Sequence, residues 1–124
     1  MAESPRSRVL IVEDDEMLRG TLESVLSAAG FTVTAASNGR EGLAALAEAS
    51  YSFILSDVKM PQMDGLALLR AFKEKAYAGR FVIMTGYSEY TETAGAQSLG
   101  ADALLQKPFR RSDLFRLMES LKLV

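Results

Sequence analysis

Carboxylates, a hydroxyl and an ammonium stand where this chain could do chemistry. Four acids in a row, Glu13, Asp14, Asp15 and Glu16, follow the apolar run Val9 to Val12. Another, Asp57, closes the run Ser52 to Ser56 within ILSDVKMPQMDGL. Thr85-Gly86 follows Phe81 to Met84, and Lys107-Pro108 follows a run that begins at Ala103. Adjacent acids repel, so such a cluster is tolerated either because water solvates it or because a cation neutralises it. Hard oxygens contributed from two places suit Mg²⁺, which takes one or two carboxylates and keeps several waters. Each residue also has a plainer reading. Acids favour the positive end of a helix, so Glu13 to Glu16, taken alone, reads first as a solvated helix start. An Asp after a strand can fold onto the backbone two residues on. Lys107 reads as a surface lysine, and Thr85 as a strand former. Asp15 and Glu16 are expected to open the first helix and stay exposed.

Composition narrows the chemistry further. With 124 residues the chain is one domain on length alone. Its 14 basic and 16 acidic residues nearly cancel, so no field of one sign argues for nucleic acid or an anionic membrane. The chain has no cysteine and no histidine, which removes thiolate nucleophiles, disulfides, the usual general base and the usual transition-metal ligand. Chemistry must come from carboxylates, hydroxyls, lysine or a hard metal. Met1 to Arg8 is polar, lacks the apolar core of a signal peptide, and no apolar run approaches bilayer length. A soluble, cytoplasmic protein is expected.

The elements that must position these groups alternate. Short runs rich in β-branched and aromatic residues recur at Val9 to Val12, Phe31 to Ala35, Ser52 to Ser56, Phe81 to Met84 and Ala103 to Leu105. Helical periodicity fills the gaps, which reads as five β/α units on a parallel sheet. Leu18, Leu22, Val25, Leu26 and Ala29 form one stripe that stops at Gly30. Asn38 with Glu41 suggests a capping box before Leu43, Leu46 and Ala47. Asp64-Gly65 leads into Leu66, Leu68, Leu69 and Phe72, and the last helix carries Leu114, Leu117, Met118 and Leu121 behind Ser112 and Asp113. The fourth helical stretch, Ser88 to Leu99, is the weakest, since Gly95 costs about 1 kcal/mol relative to alanine. It is the helix expected to shift or fray first.

In an open parallel sheet, ligands collect at the carboxyl ends of the strands, beside the point where strand order reverses. The acids, Asp57, Thr85 and Lys107 all fall on that rim. VLIVEDDEMLR, ILSDVKMPQMDGL, VIMTG and LLQKPF, in this order and spacing, resemble the receiver domain of two-component response regulators. The resemblance covers essentially the whole chain, residues 8–124, behind a tail of residues 1–7. It implies a doubly wound (βα)5 sandwich, flavodoxin-like, with parallel strand order 2-1-3-4-5.

By the same resemblance, Asp57 would be the phosphoacceptor, taking a phosphoryl group from a sensor histidine kinase or a histidine phosphotransfer protein. Glu13 and Asp14 would hold Mg²⁺, with Asp14 and Asp57 ligating directly, Glu13 acting chiefly through water, and the Lys59 carbonyl completing the set. Lys107 would pair with the phosphoryl group and the Thr85 hydroxyl would swing in to bond it. A cis Lys107-Pro108 bond is implied as well. The phosphate would act as a local electrostatic switch on the face built from the fourth helix, fifth strand and fifth helix, read by a downstream target or output domain. Self-dephosphorylation belongs to such a switch without making it a metabolic enzyme.

The chain departs from the pattern in two places. Glu13 stands where Asp is also common, and Leu104 replaces the aromatic that many receivers rotate inward behind the threonine. Tyr87 is the candidate to take part of that role, and Lys59 and Tyr87 at the mouth of the site are candidates to gate hydrolysis. Two rivals remain. A haloacid-dehalogenase-type phosphatase needs a second acid two residues after the nucleophile, where this chain has Lys59. A pseudo-receiver that binds partners without phosphorylation typically loses the acids, the acceptor or the lysine. A stand-alone receiver and a part of a longer regulator or hybrid kinase both stay open.

Overall fold

A computed structural model describes residues 8–60, 62–86 and 100–123. The apolar runs become strands within one residue of their expected bounds: β1 Arg8–Val12, β2 Thr32–Ala36, β3 Phe53–Asp57, β4 Arg80–Thr85 and β5 Ala103–Gln106. They form a five-stranded parallel sheet in the order β2-β1-β3-β4-β5. Four described helices accompany them: α1 Glu16–Ala28, α2 Gly39–Glu48, α3 Gly65–Glu74 and α4 Arg111–Ser120. The stretch Ser88 to Leu99, with Gly95, lies outside the described residues, as does Tyr87.

Strand period two explains why the central runs are apolar without interruption. Val9 and Ile11 of β1, with Phe53 and Leu55 of β3, join Leu22, Leu26, Leu114 and Met118 in a cluster under α1 and α4. Leu10, Val12 and Ile54 point the other way, into a cluster with Leu46, Leu68, Leu69 and Phe72 under α2 and α3. A strand covered on both faces has no polar side to spare, which is the signature of a parallel sheet. Burying a large aliphatic side chain is worth about 1.5–3 kcal/mol, so these two layers carry the fold.

The helix starts are set by local hydrogen bonds. Asp15 Oδ1 accepts from the Met17 and Leu18 N–H groups, and Asp64 Oδ1 accepts from Ala67 N–H at 2.8 Å. Asp15 and Glu16 are exposed, as expected. Ala29 and Ala47 also prove exposed, and Ala45 takes the buried place on α2 instead. The capping box at α2 is shifted by one residue. Asn38 Oδ1 accepts from Glu41 N–H at 2.8 Å, but Glu41 reaches past Asn38 to accept from both the N–H and the hydroxyl of Ser37, at 2.8 and 2.9 Å. At α4 the N-cap is Arg110, whose N–H donates to Asp113 Oδ2 at 2.9 Å.

Two glycines sit where backbones touch. Gly65 N–H donates to the Val58 carbonyl at 2.8 Å, and a Cβ on Gly65 would lie 2.1 Å from the Asp57 carbonyl oxygen. Gly39 N–H donates to the Met63 carbonyl at 3.1 Å, and a Cβ there would lie 2.1 Å from that oxygen. The loop after β3 is therefore pressed against α3 at one end and α2 at the other.

Candidate functional site

Register decides which residues meet. Val12 pairs with Ser56 and Asp57 with Met84, so Glu13 leaves β1 beside Asp57 at the end of β3. Thr85 pairs with Gln106, so Lys107 leaves β5 just past the threonine. Its N–H donates back to the Thr85 carbonyl at 2.7 Å. Strand order reverses between β1 and β3, and the acids flank that crevice.

The side chains converge. Lys107 Nζ donates to Glu13 Oε1 at 2.7 Å and lies 3.2 Å from Asp57 Oδ2. Asp57 Oδ1 accepts from Val58 N–H at 2.8 Å. Glu13 Oε2 accepts from Asp15 N–H at 3.1 Å, so both oxygens of a fully buried carboxylate are engaged. One oxygen each from Glu13, Asp14 and Asp57 lies within 4.8 Å of the others. Three carboxylates against one ammonium leave a formal charge of −2, which one divalent cation would cancel. A donor set of carboxylate oxygens alone suits a hard ion such as Mg²⁺.

The response regulator receiver domain model matches residues 9–119. The chain belongs to this family. It is 41% identical over 114 residues to the DNA-binding transcriptional regulator NtrC of Salmonella typhimurium, covering 92% of this chain and 24% of that protein. It is 34% identical over 115 residues to the transcriptional regulatory protein FixJ of Bradyrhizobium diazoefficiens, covering 93% of this chain and 56% of that protein. The chain thus spans about a quarter to about half the length of these relatives. A response regulator receiver domain protein from Clostridium thermocellum superposes with a TM-score of 0.86 at 27% identity, over 92% of each chain.

In this receiver, burial and charge pull the site's protonation in opposite directions. Desolvation pushes the Glu13 carboxyl above its usual range, the Lys107 and Asp15 hydrogen bonds oppose it, and the Asp57 charge adds to the rise. Asp14 is exposed on its outer side, yet its carboxyl is also pushed up, first by desolvation in the crowded rim and then by Glu13. Burial alone would lower the Lys107 ammonium, but its bond to Glu13 and the charge of Asp57 more than offset this and leave it raised. Lys107 is the cation that lets these acids coexist.

The remaining positions fall around this core. Thr85 is buried, and its hydroxyl donates to the Gly86 carbonyl at 3.1 Å. Lys59 is exposed two residues past Asp57. Leu104 is half-buried and packs against the cluster under α2 and α3. The Lys107-Pro108 bond is cis. An open groove of about 560 Å³, lined by Asp15, Leu18, Lys107, Pro108 and Phe109, adjoins the site. Sequence reasoning missed two features. Arg19 Nη1 donates to the Glu13 main-chain carbonyl at 2.9 Å, a bond whose only sequence signal is an arginine early in a helix that follows acids. Ser56, read only as a lone polar residue in an apolar run, donates its hydroxyl to the Asp57 carbonyl at 2.9 Å.

Proposed function

We propose that this receiver accepts a phosphoryl group on Asp57 from the phosphohistidine of a sensor histidine kinase or a histidine phosphotransfer protein, with Mg²⁺ held at Glu13, Asp14, Asp57 and the Lys59 carbonyl. One observation carries the reading: a buried carboxylate with an ammonium 3.2 Å from one oxygen shares a rim with two further acids within 4.8 Å. The metal would supply charge neutralisation on the phosphoryl oxygens.

The chain's own groups do the rest. An Asp57 oxygen attacks phosphorus, the phosphorus–nitrogen bond breaks, and the imidazole leaves with the electron pair and takes a proton from solvent. Asp57 is held in one orientation by Val58 N–H on Oδ1 and by the Lys107 ammonium 3.2 Å from Oδ2, and one of these oxygens acts as the nucleophile. Charge in such a transfer spreads over the equatorial oxygens, so positioning and neutralisation do most of the catalysis. Lys107 provides the cation on the protein side. The Thr85 hydroxyl, now on the Gly86 carbonyl, has to rotate to reach a phosphoryl oxygen. That rotation is the switch on the face that includes β5, where Leu104 presents an aliphatic side chain and Tyr87 is the candidate aromatic. Water then hydrolyses the acyl phosphate, with Lys59 and Tyr87 as candidate modulators. The signal passes to a downstream target or an output domain.

Incubation with Mg²⁺ and acetyl phosphate tests this. The expected result is a mass increase of one phosphate that disappears in Asp57→Asn and without Mg²⁺. No increase, or an undiminished one in Asp57→Asn, removes the phosphoacceptor assignment. Turnover of unrelated phosphate esters would point to a phosphatase instead.

A further inference from the structure

Asp14 is the exposed member of the acidic trio, and its direction depends on the backbone that carries it. Two peptide planes flank that residue, and each is tied by a hydrogen bond to a side chain of another residue. The plane between Glu13 and Asp14 is held through the Glu13 carbonyl, which accepts from Arg19 Nη1 at 2.9 Å. The plane between Asp14 and Asp15 is held through Asp15 N–H, which donates to Glu13 Oε2 at 3.1 Å. Together these bonds fix both backbone torsions of Asp14. Upstream, Glu13 N–H still donates to the Ala36 carbonyl at 3.0 Å, so the strand delivers the chain to this point in one orientation.

We infer that Arg19 is a positioning residue for cation binding: by holding the Glu13 carbonyl from α1 it aims the Asp14 carboxylate into the acidic rim. The inference rests on the proposed Mg²⁺ site. A guanidinium suits the task because its charge is permanent and its fork is rigid, so the bond survives any change of charge among the acids. Groups that orient ligands without touching the metal commonly control its affinity by about 10–100-fold. Arg19 also lies close enough to Glu41 on α2 to favour its ionised form, so an indirect route through α2 must be separated from the direct one.

The test is a Mg²⁺ titration of the wild-type protein, Arg19→Gln, Arg19→Lys and Glu41→Gln, read by calorimetry and by amide NMR shifts, beside metal-free melting curves. Arg19→Gln should raise the dissociation constant about tenfold, and Arg19→Lys should recover part of the loss by restoring a cationic donor. Glu41→Gln should bind as the wild type does. A merely structural arginine would lower the metal-free melting temperature and leave the Mg²⁺ affinity unchanged. Wild-type binding with Arg19→Gln within twofold of it overturns the positioning role while the metal site stands. Equal weakening in Glu41→Gln overturns the direct route as well. A wild-type protein that takes up no Mg²⁺ overturns the metal site itself, and this role with it.

Discussion

Asp14 shows what the site costs the fold. Desolvation and the Glu13 carboxylate push its carboxyl upward, which means that the folded state disfavours its charge at neutral pH. Asp14→Asn should therefore slightly stabilise the metal-free protein, by less than about 1 kcal/mol because solvent screens an exposed group. Urea unfolding at neutral pH without metal measures this, and a destabilised variant would contradict it. The same substitution should remove the response to Mg²⁺. Function and stability pull apart at one side chain, as expected where like charges are gathered for use. Glu13 is the contrasting case, since its burial is compensated by Lys107 and Asp15 N–H. Removing its carboxylate would leave a half-buried ammonium short of a partner.

Among elements, the helix starts carry the testable content. A Cβ on Gly65 would meet the Asp57 carbonyl at 2.1 Å, a contact with backbone that no rotamer relieves. Gly65→Ala should cost at least the roughly 1–3 kcal/mol typical of overpacking, read as a lower denaturation midpoint. Glu41 provides a pH test at α2. Hydrogen bonds from the Ser37 N–H and hydroxyl hold its carboxyl below the ordinary value of 4.5. A depressed carboxyl stabilises the fold above its unfolded value, and the contribution fades as pH falls through the folded one. Glu41→Gln should thus be less stable than wild type at pH 7, with the gap closing below about pH 4.5 in paired melting curves. The strands were legible in the sequence because each is an apolar run ended by a polar residue. The Ser37 bond was not, because choosing between two neighbouring donors depends on how the chain turns into α2. The purpose of Gly65 and Gly39 was not legible, since it is set by backbone contacts outside their own helices.

At the scale of the whole molecule, sheet order turns separate sequence motifs into one rim. Glu13, Asp14, Asp57, Thr85 and Lys107 could be picked out because each lies at or just past the end of a strand, and a parallel sheet gathers strand ends on one side. Arg19 could not, because its partner is a main-chain carbonyl that carries no residue-specific signal. If the rim holds Mg²⁺, folding and binding are linked. A ligand at ten times its dissociation constant adds about 1.4 kcal/mol to stability, so melting should rise with Mg²⁺ and fall back with a chelator. An unchanged melting temperature in millimolar Mg²⁺ would argue against the site.

At two places after β3, main-chain oxygens meet glycines: Asp57 against Gly65, Met63 against Gly39. Contacts built from carbonyls and missing side chains are silent to alanine scanning, which would register the buried Val58 and the Asp64 cap but leave both glycine contacts untouched. Substitutions that add atoms at the two glycines, or replace a single amide by an ester, are the perturbations that would make them audible.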